Sequence, residues 1–86
     1  MEDDIEIVYS PLQQSFIKNG HILDIQIYRD EEDADWTLEV VADGGLSTIW
    51  NDEFPTDKAA LEEARWAIDA EGAEAFLSDT LPRYSH

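Results

Sequence analysis

Asn19-Gly20 interrupts an otherwise alternating stretch, "QSFIKNGHILDIQIYR". Asn-Gly is the dipeptide best able to supply the two positive φ values of a two-residue type I′ turn, so these residues are expected to close a β-hairpin. A two-residue loop leaves no freedom in pairing. Lys18 must face His21, Ile17 must face Ile22, Phe16 Leu23, Gln14 Ile25 and Leu12 Ile27. Side chains alternate with period two, so Leu12, Phe16, Leu23, Ile25 and Ile27 share one face, which is the face to bury. The other face carries Gln13, Ser15, Asp24 and Gln26 together with Ile17, Ile22 and Tyr28. Those last three are expected to lie close together as an apolar patch on the uncovered side, rimmed by acids, as protein-binding surfaces are.

A second hairpin is expected in "WTLEVVADGGLSTIWN", where Thr, Val, Ile and Trp favour strand and Asp43-Gly44-Gly45 marks the turn. Two registers compete. A loop of Gly44 and Gly45 alone would put Trp50 beside Thr37, Glu39 and Val41 on the polar face. A three-residue loop, Asp43 to Gly45, puts Trp36, Leu38, Val40, Ala42, Leu46, Thr48 and Trp50 on one side. The second is preferred, because register follows the face that collects the large apolar side chains.

In "FPTDKAALEEARWAIDAEG", Thr56 is placed to cap a helix, Asp57 complements its N-terminal dipole, and Gly72 suits the left-handed position past its end. Ala60, Leu61, Ala64, Ala67 and Ile68 recur at helical spacing, with Glu62, Glu63, Arg65 and Asp69 opposite and Trp66 at the stripe's edge. Phe76 and Leu77 follow in position to pack beneath the helix. Ile5, Ile7 and Tyr9 alternate with Glu6 and Val8, which permits a short N-terminal strand limited by Pro11. The expected fold is α+β: a four-stranded antiparallel meander with a C-terminal α-helix packed on one face, two layers in all, and room for an extra short N-terminal strand. One domain fills residues 1–86, with 1–8 and 79–86 expected to be mobile.

The chain has 21 Asp and Glu against 5 Lys and Arg, a formal net charge of −16. Such a field repels nucleic acid and anionic membrane and favours a basic protein partner; it also serves solubility. With no cysteine there is neither a disulfide nor a thiolate metal site. The opening "MEDDIEIVYS" is acidic where a signal peptide is basic and then apolar, and no apolar run approaches the ~20 residues of a membrane span. A cytoplasmic protein, monomer or weak homodimer, is expected.

Five carboxylates crowd the segment "DEEDAD": Asp30, Glu31, Glu32, Asp33 and Asp35. A calcium loop of the EF-hand type needs oxygen ligands at positions 1, 3 and 5, Gly at 6 and Glu at 12. Starting at Asp30, those last three positions are Ala34, Asp35 and Val41. The pattern fails, leaving a solvated connector that concentrates negative field at one end of the sheet. His21 and His86 are the only groups with ordinary pKa values near neutrality, and neither has a nucleophile or triad neighbour in sequence. No P-loop or dinucleotide fingerprint is present, so no enzyme, cofactor or metal is expected. The competing expectation is a ligand or catalytic pocket between helix and sheet, lined by Trp36, Trp50 or Trp66 beside a carboxylate.

The segments "YSPLQQSF", "DWTLEVVADGGLSTIWNDEF" and "TDKAALEEA", in this order and with short gaps, resemble a group of small bacterial proteins of unknown function often labelled plasmid-related. The resemblance spans roughly residues 9 to 77. It implies a bacterial cytoplasmic origin and a link to mobile elements, and it carries over no activity and no binding residues. The leading expectation is therefore a non-enzymatic interaction module that binds a basic partner through Ile17, Ile22, Tyr28 and the acids of 30–35. Nucleic-acid mimicry is its more specific form.

Overall fold

The computed structural model describes residues 6–77. In chain order it has strands β1 (Ile7–Tyr9), β2 (Gln14–Lys18), β3 (His21–Asp30), β4 (Thr37–Ala42) and β5 (Ser47–Ile49), then helix α1 (Asp57–Glu71) and a 3-10 turn over Ala73–Phe76. All five strands form one antiparallel sheet. β3 is its axis: β4 lies along one side, while β2 and β1 cover the two halves of the other. β5 extends the sheet beyond β4.

The first hairpin forms as expected, with Asn19 at φ 54 and Gly20 at φ 81 and with Lys18 opposite His21. The second takes the three-residue loop. Val40 pairs with Thr48, the Ala42 N–H donates to the Leu46 carbonyl (2.8 Å), and Gly45 adopts φ 94, which a side chain would resist. Trp50 is accordingly buried. Past β5 the chain turns back, and Phe54 bridges to Trp36 through two backbone hydrogen bonds of 2.7 and 2.8 Å.

One expected pair does not form. Leu12 should oppose Ile27, but the register of β1, in which Tyr9 faces Tyr28, is offset by two residues from that of β2. Pro11 has no N–H to give a ladder, so the chain leaves the sheet around it. The Ser10 N–H donates to the Ile27 carbonyl (2.9 Å), and the Ile27 N–H, which would otherwise be orphaned, donates to the side-chain carbonyl of Gln13 (2.9 Å). The extra N-terminal strand is thus an interrupted continuation of β2. Ile7 and Val8, expected to be mobile, are paired with Asp30 and Arg29; residues 1–5 and 79–86 of that expectation lie outside the described residues.

Helix α1 covers the inner face of the sheet. Thr56 Oγ1 accepts from the Ala59 N–H (3.0 Å), Asp57 occupies the first turn, and Gly72 at φ 82 closes the other end by donating to the Ile68 carbonyl (2.8 Å). Its buried residues are Ala60, Ala64, Ala67 and Ile68, and the three single methyls allow the helix to approach the strands closely. Opposite them stand Leu23, Ile25 and Ile27 of β3 and Leu38, Val40 and Ala42 of β4, all within the buried core. Phe76 reaches back under the helix end as expected, fully buried, and stacks on Trp50 at 6.2 Å between ring centroids.

Ser10 ties the strand break to the helix. Its hydroxyl donates to Asp57 (2.8 Å) and accepts from the Leu12 N–H (2.9 Å), and the residue is buried. Ser10→Ala leaves that amide without its acceptor and removes a charge-assisted bond. A loss of about 1 to 3 kcal/mol in unfolding free energy is expected from urea denaturation, against under about 0.5 kcal/mol for the control Glu62→Ala on the exposed side of α1.

Candidate functional site

The acidic connector is built around a cation. Arg29, the last basic residue before five carboxylates, turns its guanidinium into the loop and donates from Nη1 to the carbonyls of Asp30 (3.2 Å), Glu31 (3.3 Å) and Asp33 (2.8 Å). The same guanidinium lies 5.0 Å over the ring of Trp36. The Asp33 N–H closes a turn on the Asp30 carbonyl, and the Glu31 N–H donates to the carbonyl of Glu6. Backbone oxygens therefore face inward to the arginine, while Glu31, Glu32, Asp33 and Asp35 are exposed. Among the described residues no three His, Asp or Glu side chains converge where a metal ion could be held. The Trp36–Phe54 bridge brings Asp52 and Glu53 to the same end of the sheet, so this end collects acids from two loops. Glu39 lies elsewhere, on the outer face.

The outer face of the sheet, away from α1, carries the second group of residues. The registers place Ile7, Tyr9, Ser15, Ile17, Ile22, Asp24, Gln26, Tyr28, Asp30, Thr37, Glu39, Val41, Ser47 and Ile49 on it. Ile17 and Ile22 are direct partners at one end, 71% and 48% exposed. Tyr28 does not join them: it is six residues along β3 from Ile22, about 20 Å at strand rise, with Asp24 and Gln26 between. It stands instead beside Tyr9, ring centroids 6.2 Å apart, with Ile7 near the same end. The expected single patch is thus two apolar clusters separated by an acidic waist of Asp24 and Glu39. In the sequence Ile7 and Tyr9 are legible as a short N-terminal strand but not as site residues, and Ile49 is placed on this side only by the parity of the three-residue loop.

Hydroxyls hold the waist. Ser15 donates to Asp24, Ser47 donates to Glu39, and the Tyr28 hydroxyl donates to Glu39 at 2.8 Å. Partial burial, then the hydrogen bond and negative charge of Glu39, push the Tyr28 phenol up to about 12.

No cation reaches this waist among the described residues. Lys18 pairs with Asp69 of α1 (3.5 Å), Arg65 of α1 lies over Phe16, Lys58 belongs to α1, and Arg29 is held in its own loop. Trp36 lies under Arg29, Trp50 is buried and donates its Nε1–H to Glu63 (3.1 Å), and Trp66 is exposed on the helix. Where the chain leaves the ladder, Gln13, Gln14, Ser15, Asp24, Ile25 and Gln26 line an open groove of about 190 Å³, smaller than the roughly 300–1,000 Å³ of ordinary ligand pockets. No helix of the described residues is long and apolar enough to cross a membrane.

Because the native fold holds the Tyr28 proton more tightly than the unfolded chain, this group's contribution to stability is complete below pH ~10 and is lost as pH rises toward 12. Glu39→Gln is expected to lower the pH at which Tyr28 ionises, read as phenolate absorbance. Tyr28→Phe should remove that part of the alkaline loss of stability, read by urea unfolding across the same pH range.

No protein-family model, curated protein or solved structure matches this chain.

Proposed function

We propose that this chain is a non-enzymatic interaction module of the bacterial cytoplasm that binds a basic protein partner through its acidic surface and the outer face of its sheet. The observation that supports this most is the separation of charge across the sheet. Lys18, Lys58 and Arg65 all sit on the helix side, whereas the strand residues of the outer face include Asp24, Asp30 and Glu39 and no lysine or arginine. A carboxylate there meets no competing cation from its own strands, so an incoming one is attracted without first displacing another cation. The exposed Ile7, Tyr9, Ile17, Ile22 and Ile49 on the same face supply apolar area to bury.

The acids are interrupted by these apolar groups, which favours a protein surface of mixed character over the uniformly basic groove of a nucleic-acid enzyme. Mimicry of nucleic acid is therefore the narrower reading and would draw on the end of the sheet where residues 30–35 meet Asp52 and Glu53.

Capture of partners from bacterial cytoplasm by the full chain tests the reading. At about 0.05 M salt a basic protein should be retained, and at about 0.5 M, where the screening length falls to roughly 4 Å, it should be lost. The double variant Asp24→Lys, Glu39→Lys should weaken retention by at least about tenfold. Retention that ignores both salt and this variant would count against the proposal.

A further inference from the structure

The order of groups along β3 sets what kind of partner the outer face fits. Reading up the strand, Ile22 with its neighbour Ile17 is apolar. Asp24 follows, opposite Val41; then comes Gln26, opposite Glu39, with Ile49 beyond. Last are Tyr28 and Tyr9. The two apolar ends lie about 20 Å apart at ~3.3 Å per residue. In an α-helix the same distance spans about 13 residues. One helical face repeats at i, i+4, i+7 and i+11, so a helix lying along β3 can set apolar side chains at both ends and two basic ones over Asp24 and Glu39.

We infer that the outer sheet face is the seat of a basic amphipathic helix from another protein, running along β3, with its terminal apolar side chains on Ile17/Ile22 and Tyr9/Tyr28 and its central lysines or arginines on Asp24 and Glu39. This rests on the proposed role of the face in binding a basic partner and adds the partner's shape and pattern. An added strand fits less well, because strands join at edges. One edge here is the three-residue β5, and the other is broken around Pro11. A second copy of the chain fits less well too, since it would bring Asp24 and Glu39 against identical carboxylates on a molecule of net charge −16.

Three synthetic peptides of about 18 residues test this by amide shift mapping on the isotope-labelled full chain at low salt. The first is an alanine-based helix with leucines at both ends of one face and lysines between them on that face. The second has the same composition with leucines central and lysines terminal. The third carries the lysines of the first, with prolines that prevent a helix. The first should shift the amides of Tyr9, Ile17, Ile22, Asp24 and Glu39 and bind at least about tenfold more tightly than either of the others. Ile17→Lys, at an exposed position, should weaken it by about tenfold without moving the thermal midpoint.

Equal binding of the three peptides, or shifts confined to residues 30–35, would overturn the helix assignment and leave the basic-partner reading standing. Absence of binding by every peptide would remove both. Sedimentation showing a dimer that Ile17→Lys dissociates would instead make this face a self-interface, and the inference would fail.

Discussion

Burial of Leu23, Ile25 and Ile27 in a row along β3 is the constraint from which the rest of the molecule follows. A slip of one residue would turn all three toward solvent, at about 1.5 to 3 kcal/mol each, so the register of β3 has no near competitor. The type I′ turn at Asn19 and Gly20 places β2 against this strand. β4 answers with Leu38, Val40 and Ala42 on the same side. Helix α1 then closes the layer with three alanines and Ile68, and its ends are set by Thr56 and Gly72. With the inner face sealed by α1, the described residues include no second α-helix to lay over the outer one.

Charge follows the same division. A chain with so few cations uses them where they hold the scaffold: Lys18 joins the first hairpin to α1, Arg65 lies over Phe16, and Arg29 gathers the carbonyls of the 30–33 turn over Trp36. The acids left on the outer face are steadied by Ser15, Ser47 and Tyr28, neutral donors that leave the negative charge in place. The exposed isoleucines beside these carboxylates leave apolar area facing water, and that area together with the unneutralised charge is what supports the binding role proposed for this face.

Much of this was legible from residue order. Period-two alternation, the Asn-Gly turn, the preference for a three-residue loop at Asp43–Gly45, and the Thr56 and Gly72 caps each act over a few residues, where propensity and sterics are decisive. The failed calcium-loop spacing of residues 30–35 is a property of the sequence alone. That the connector's carbonyls would converge on Arg29 was not visible, because nothing in a run of acids says which way the backbone oxygens will turn. Tyr28 shares a face with Ile17 and Ile22, but six residues of strand separate it from Ile22, so a common face does not make a common patch.

Local chemistry thus established the hairpins, the helix and the identity of the buried face, since a backbone dihedral or an alternating pattern is a property of neighbours in the chain. Where distant segments meet was a matter for packing. The two-residue offset around Pro11 was settled by which groups could satisfy Ile27, and the buried Ser10 found Asp57 across 47 positions. The gathering of cations on the helix side likewise arises only when strands from separate parts of the sequence are laid side by side. Pairings of that kind depend on three-dimensional distance, which no linear spacing encodes.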